Sequence, residues 1–180
     1  MHVQVNVPYS TRPAVRREPA KILVRDVTKS YAGTCVLDGV NLAVENGEFV
    51  VLIGPSGGGK TTLLRLINKL ILPDSGAIYL DGHPIAPIPG DQLRRGIGYV
   101  IQGGGLFPHM TVADNISVMM KVAGASAAKI NDRVRAMLDM VDLPASTMDE
   151  YPCQLSGGQQ QRVGVARAFA TDPSVILMDE

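Results

Sequence analysis

The residues Gly54-Pro55-Ser56-Gly57-Gly58-Gly59-Lys60-Thr61 fit the spacing G-x-x-x-x-G-K-[ST]. Glycines in such a loop let successive backbone N–H groups turn inward toward anionic oxygens, and a helix starting at the loop's end adds its positive pole. Lys60 then reaches the β- and γ-phosphates of a nucleotide. The Thr61 hydroxyl suits a Mg²⁺ ion, and Thr62 is a further phosphate contact. A chance glycine-rich turn is the bland alternative. An apolar run before the loop and a helical pattern after it weigh against that.

Two further stretches carry chemistry. Val175-Ile176-Leu177-Met178-Asp179-Glu180 is an apolar strand ending in two carboxylates. Asp179 can hold Mg²⁺ directly or through water, and Glu180 can polarise an attacking water as a general base. The other stretch is Leu155-Ser156-Gly157-Gly158-Gln159. Ser156 and Gln159 match S-x-x-Q, an ordinary helix capping box. Two glycines in a first helical turn cost roughly 1 kcal/mol each against alanine, so capping alone explains them poorly. They make sense if something approaches the backbone closely, and a helix N-terminus with a serine hydroxyl is an anion site.

The elements that must position these groups follow from periodicity. Lys21 to Val27 and Val36 to Val44 are strand-like, with a turn around Ala32-Gly33. Phe49-Val50-Val51-Leu52-Ile53 is unbroken apolar sequence and predicts a strand buried on both faces ahead of the glycine loop. Leu63, Leu66, Ile67 and Leu70 then mark a helix, which Pro73-Asp74-Ser75-Gly76 closes off. Ala77 to Leu80 and Gly98 to Ile101 read as strands. Thr111 to Asp114 reads as a capped helix start, and Ile130, Val134, Met137, Leu138 and Val141 form a second helical stripe. Gly164 to Ala170 continues the helix after the serine-glycine stretch, and Asp172-Pro173 breaks it before the last strand. Strand, loop, helix and later strand in this order argue for a parallel α/β core.

Composition narrows the function classes. The 180 residues are 46% apolar and 19% charged, which is globular. Seventeen Lys plus Arg balance 17 Asp plus Glu, so the footprint of a general nucleic-acid binder is missing. No apolar run approaches the roughly 18 residues that span a bilayer, so a membrane role must come through a partner. Residues 1–20, with their prolines and Arg12, Arg16 and Arg17, read as a flexible extension; a membrane-surface contact is the weaker option. Cys35 and Cys153 form no metal-ligand pair in sequence, in keeping with a reducing cytosolic setting.

Taken together and in this order, the three stretches resemble the nucleotide-binding subunit of an ATP-binding cassette (ABC) transporter. The resemblance covers roughly Lys21 to Glu180. It implies an α/β P-loop NTPase core with an N-terminal antiparallel β subdomain and an inserted helical subdomain at about 103–158. It implies ATP and Mg²⁺ as cofactors and places Gln102 at the family's Q-loop glutamine, which contacts Mg²⁺ or the attacking water. Tyr31 falls where the family has an adenine-stacking aromatic, although a strand-end tyrosine with a wet hydroxyl is the plain alternative. Nucleotide contacts are then expected from Tyr31, Gly54, Pro55, Ser56, Gly57, Gly58, Gly59, Lys60, Thr61 and Thr62. A metal set of Thr61, Gln102 and Asp179 is expected, with Lys60, Gln102 and Glu180 acting in hydrolysis.

Ser156, Gly157, Gly158 and Gln159 correspond to the family signature, which binds the γ-phosphate of ATP held by a second copy of the subunit. A head-to-tail dimer follows, docked on transmembrane permease subunits at the cytoplasmic face of the membrane and served indirectly by a solute-binding protein. Tyr99-Val100-Ile101-Gln102, Gly105 to Val112, Gln159 to Ala168 and Leu66 to Leu70 are similar to ATPases of osmoprotectant importers for glycine betaine, choline, carnitine or proline. An importer of another solute, such as an amino acid, and a nucleotide-binding fragment without efficient hydrolysis stay open beside this reading. Gly58 stands where the family usually has serine or another small polar residue, Gly103-Gly104-Gly105 is richer in glycine than usual, and Cys153 occupies a position that is often His or another polar residue. The family continues with a D-loop and a switch histidine. His2, His83 and His109 all precede Asp179, so the chain reads as C-terminally truncated.

Overall fold

The computed structural model describes residues 20–179. The extension expected at residues 1–20 therefore lies almost wholly outside the described residues, and so does Glu180. The chain forms two compact units that divide between Leu93 and Arg94.

The first unit is built on a four-stranded antiparallel sheet, which agrees with the expected β subdomain. The strands are β1 (Ile22–Tyr31), β2 (Thr34–Val44), β3 (Ser75–Leu80) and β4 (His83–Pro84), in the order β2-β1-β3-β4. The β1–β2 hairpin turns at Ala32-Gly33, both with positive φ, as the sequence suggested. Alternate residues of this hairpin, including Ile22, Val24, Leu37, Val40 and Leu42, are buried. The period of two places one face of the sheet on the core. The β1–β2 pairing slips between Val24 and Val27, where Asp26 has a φ of 47°. Asn41 seals this bulge: its side-chain oxygen accepts from the Asp26 amide at 3.1 Å and its amide donates to the Asp26 carboxylate at 2.8 Å. Gly76 crosses at the same point, and a Cβ there would lie 2.4 Å from the Asp26 carbonyl oxygen.

Helix α1 (Lys60–Ile67) follows the glycine loop and buries Leu63, Leu66 and Ile67. It ends earlier than the apolar stripe predicts, and Leu70 is exposed. Lys69 takes a φ of 50°, the Leu70 amide donates to the Arg65 carbonyl at 2.8 Å, and the Lys69 amide donates to the Leu66 carbonyl at 3.0 Å. This paired closure satisfies carbonyls that a terminated helix would otherwise leave bare. The Lys69 ammonium donates to the carbonyls of Ile85, Ala86 and Ile88, tying down the segment after β4.

One expectation fails. Residues 49–53 belong to no strand. Phe49, Val51 and Ile53 are 86%, 62% and 88% exposed, while Val50 and Leu52 are half-buried. An apolar run becomes a buried strand only where neighbouring strands accept its backbone groups, and in the first unit the sheet leaves it unpaired.

Helix α2 (Gly90–Arg95) was not foreseen and spans the division. The second unit pairs β5 (Ile97–Val100) in parallel with β6 (Val175–Met178), as a parallel α/β core requires. Between them lie α3 (Val112–Val122), α4 (Ala127–Met140), two short 3-10 turns and α5 (Gly157–Phe169). Val112, Ile116 and Met120 of α3, Val134, Met137 and Leu138 of α4, and Val163, Ala166 and Ala170 in or just past α5 share one core. Ile130 and Val141, the ends of the predicted stripe, pack against it. Thr111 caps α3 as expected, accepting from the Asp114 amide at 3.2 Å. None of the helices among the described residues is long and apolar enough to cross a membrane.

Candidate functional site

The glycine loop and α1 lie within the first unit. Gly57 and Gly59 have φ of 77° and 86°, a region open to glycine and strained for other residues. At Gly59 even the space is closed, since a Cβ would meet Leu37 Cδ2 at 2.7 Å. The loop closes on itself where the Gly58 amide donates to the Pro55 carbonyl at 3.0 Å. Gly59 begins α1 without any side-chain cap, the kind of helix start that receives an anion. The Lys60 ammonium folds back over the loop and donates to the Gly54 carbonyl at 2.8 Å and the Pro55 carbonyl at 3.0 Å. Its charge is therefore stationed at the loop's mouth, held by two neutral acceptors that an anionic oxygen outcompetes. Ser56, Thr61 and Thr62 lie in the same loop and first turn.

Tyr31, at the end of β1 in the same unit, is exposed, and the Lys29 ammonium sits 5.5 Å from its ring centre. Lys29 is itself fixed by Asp74 at 2.7 Å. The Asp74 carboxylate also accepts from the Ser30 amide at 2.7 Å. The hydrogen bond from Lys29, and then the one from Ser30, hold the Asp74 carboxyl below the ordinary carboxylate range.

The second unit carries the other expected groups. Val100 pairs with Met178, so Gln102 and Asp179 leave the same, carboxyl-terminal end of two parallel strands. That end is where α/β sheets hold their ligands. The Asp179 amide donates to the Val100 carbonyl at 2.9 Å, extending the pairing by one residue. The Tyr99 hydroxyl donates to the Asp179 carboxylate at 3.2 Å. Tyr99 is a site residue that the sequence alone did not single out. Its link to Asp179 exists only once β5 and β6 are side by side, although its place on the strand next to Gln102 was a usable signal.

The signature stretch opens α5. The capping box read from Ser156 and Gln159 is formed: the Ser156 hydroxyl accepts from the Gln159 amide at 3.3 Å, and the Gln159 side-chain oxygen accepts from the Ser156 amide at 2.8 Å. The serine still has its own proton to donate. Gly157 and Gly158 face open space, with nothing within 4 Å of an added Cβ. Packing among the described residues thus gives no reason for glycine at either position.

An uncapped helix start, a lysine and glycine amides suit phosphates, and a strand-end carboxylate suits a metal ion.

This fold, together with the ordered loop, signature and strand-end carboxylate, defines an ATP-binding cassette, and the chain belongs to the ABC transporter family. The family's profile, described as ABC transporter, matches residues 37–180. Among curated relatives, the choline transport ATP-binding protein OpuBA of Bacillus subtilis (strain 168) is 48% identical over 160 residues, covering 88% of this chain and 42% of the relative. The glycine betaine uptake system ATP-binding protein YehX of Escherichia coli (strain K12) is 47% identical over 154 residues, covering 86% and 50%. The spermidine/putrescine import ATP-binding protein PotA of Nitrosospira multiformis is 47% identical over 161 residues, covering 89% and 44%. The chain therefore spans about half the length, or somewhat less, of these curated relatives. Among solved structures, the dimeric post-hydrolysis state of the ATP-binding cassette MJ0796 bound to ADP and Pi superposes with a TM-score of 0.81 at 35% identity, over 88% of this chain and 73% of that one.

Proposed function

We propose that this chain is the nucleotide-binding part of the ATP-hydrolysing subunit of an ABC importer. It energises uptake of an osmoprotectant such as glycine betaine or choline through a membrane permease. The observation that carries the reading is the Lys60 ammonium held at the mouth of an uncapped, glycine-lined helix start. Gly54 to Thr62 grip the phosphates, and Tyr31 offers its ring to the base. Thr61, Gln102 and Asp179 would hold Mg²⁺, which would supply neutralising charge on the phosphates. Glu180 and Gln102 orient the water.

Open space at Gly157 and Gly158 supports a head-to-tail pair, in which Ser156 and the signature amides meet the nucleotide held by a second copy. MJ0796 is described as dimeric, with ADP and Pi. The subunit sits peripherally on the cytoplasmic face of the membrane, docked to its permease, and a solute-binding protein delivers the cargo. The names of OpuBA and YehX support the solute class. PotA, at similar identity, favours a second reading in which the cargo is a polyamine.

MgATP binding and turnover in the protein that contains this chain test the proposal. Lys60→Ala should abolish nucleotide binding, and Glu180→Gln should trap an ATP-bound dimer. A wild-type protein that neither binds nor hydrolyses MgATP refutes the reading. Solute binding by the cognate receptor tests the cargo: exclusive binding of a polyamine or another unrelated solute removes the osmoprotectant assignment.

A further inference from the structure

Arg167 lies in the last turn of α5. Its guanidinium donates to two successive carbonyls of the loop after Gln102, Gly105 at 2.9 Å and Gly104 at 3.0 Å. The same guanidinium lies 5.7 Å from the ring centre of Phe107. The helix face that bears Arg167 is shaped to this loop. A Cβ on Gly164 would sit 3.1 Å from the Gly104 carbonyl oxygen and 3.3 Å from its Cα, and a Cβ on Gly104 would sit 3.1 Å from the Gln160 carbonyl oxygen. Gln160, Gly164 and Arg167 are spaced by four and three, so they share one side of the helix.

Within the loop itself the Gly104 amide donates to the Ile101 carbonyl at 3.0 Å. Gly103, Gly104 and Gly105 have φ of 74°, 79° and 51°, three left-handed residues in a row at the positions with most backbone freedom to lose. Beyond them, Asn115 pins the far end, accepting from the Phe107 amide at 2.8 Å and donating to its carbonyl at 3.1 Å. Burial lowers the pKa of Arg167, and no carboxylate among the described residues offsets it. A half-buried cation whose partners are loop carbonyls is a costly feature, and its contacts go to the loop beside Gln102.

We propose that Arg167 is a positioning residue: it fixes the Gly103–Phe107 segment, and through it Gln102, to the helix that opens at Ser156, so that Gln102 and the signature shift as one body. This rests on the nucleotide role given above to Gln102 and Ser156. The contacts of Arg167 go to the Gly104 and Gly105 carbonyls and the Phe107 ring.

Two measurements test it. The first is amide hydrogen exchange in the nucleotide-free protein, read at Gly104 and Phe107, whose amides are bonded to the Ile101 carbonyl and to Asn115. Arg167→Met should accelerate exchange at both, with α5 unchanged, and Arg167→Lys should restore part of the protection. The second is MgATP turnover. Arg167→Met should lower kcat by about 10-fold with little change in KM, short of the roughly 100-fold that a 1 Å misplacement can cost. In a Gln102→Ala background the same change should cost nothing further, because residues acting as a unit are not additive. Should Arg167→Met fail to fold, Gly164→Ala displaces Gly104 by a few tenths of an ångström and should give the same exchange and kcat signature. Unchanged exchange at Gly104 and Phe107, or additive losses with Gln102→Ala, overturns the proposal. Absence of MgATP binding by the wild type refutes the nucleotide reading instead and leaves the exchange result to stand or fall separately.

Discussion

The phenolic oxygen of Tyr99 lies 3.2 Å from a carboxylate oxygen of Asp179. One strand of the parallel pair thus holds the acid that terminates the other. Asp179 is held by its amide on the Val100 carbonyl and by its side chain on Tyr99. In the proposed metal role of Asp179 this support sets the side chain's rotamer before an ion arrives.

Tyr99→Phe should keep the fold, with a stability change near 1 kcal/mol. It should weaken the Mg²⁺ requirement curve for ATP binding or turnover by about 10-fold. Titrating Mg²⁺ at fixed ATP reads this directly. An unchanged curve would mean that the hydrogen bond has no part in placing the metal ligand.

Gly157→Ala separates capping from ligand contact. Nothing lies within 4 Å of the added Cβ, and φ there is not positive. Thermal unfolding without nucleotide should show a gain of up to about 1 kcal/mol, since alanine is the better helix former. ATP-driven association, followed by light scattering, should weaken at the same time. A variant that is more stable and dimerises normally would leave the capping box as the whole explanation of the signature.

Asn115→Ala should be the most damaging of these changes to stability. The residue is fully buried, and its side chain bonds Phe107 twice and the carbonyls of Met110 and Thr111 at 3.1 and 3.0 Å. Orphaning several backbone groups at once should cost about 3 kcal/mol, measurable as a lower urea midpoint with unchanged slope.

The acid limb of stability should contain Asp74. Its folded pKa lies below the unfolded value because of Lys29 first and Ser30 second. Its stabilisation is thus complete above the unfolded pKa and fades as pH falls below about 4. Asp74→Asn should be slightly less stable at neutral pH and should show a shallower loss on acidification. The effect is small because the pair is exposed. Asp114, lowered first by Lys121, contributes to the same limb, so the limb should shrink without vanishing. Chemical denaturation between pH 3 and 7 checks both signs, over the range in which carboxylates titrate.

What the sequence determined alone is what short-range chemistry determines. The glycine loop, the caps at Thr111 and Ser156, and the stripe from Ile130 to Val141 involve residues only a few positions apart, and each is present where its spacing placed it. The apolar stripe overruns the end of α1, because apolar character at Leu70 continues past the point where Lys69 reverses the backbone. The strand expected at residues 49–53 failed for a different reason: apolarity specifies a wish for burial, but pairing needs a neighbour, which the first unit's sheet does not give. Tertiary structure alone decided that Tyr99 meets Asp179, 80 residues away, and that Arg167 meets Gly104, 63 residues away. No local pattern encodes such pairs. They arise only when the closed backbone brings β5, β6 and α5 together, and the bonds that hold Asp179 and the loop beside Gln102 are of this kind.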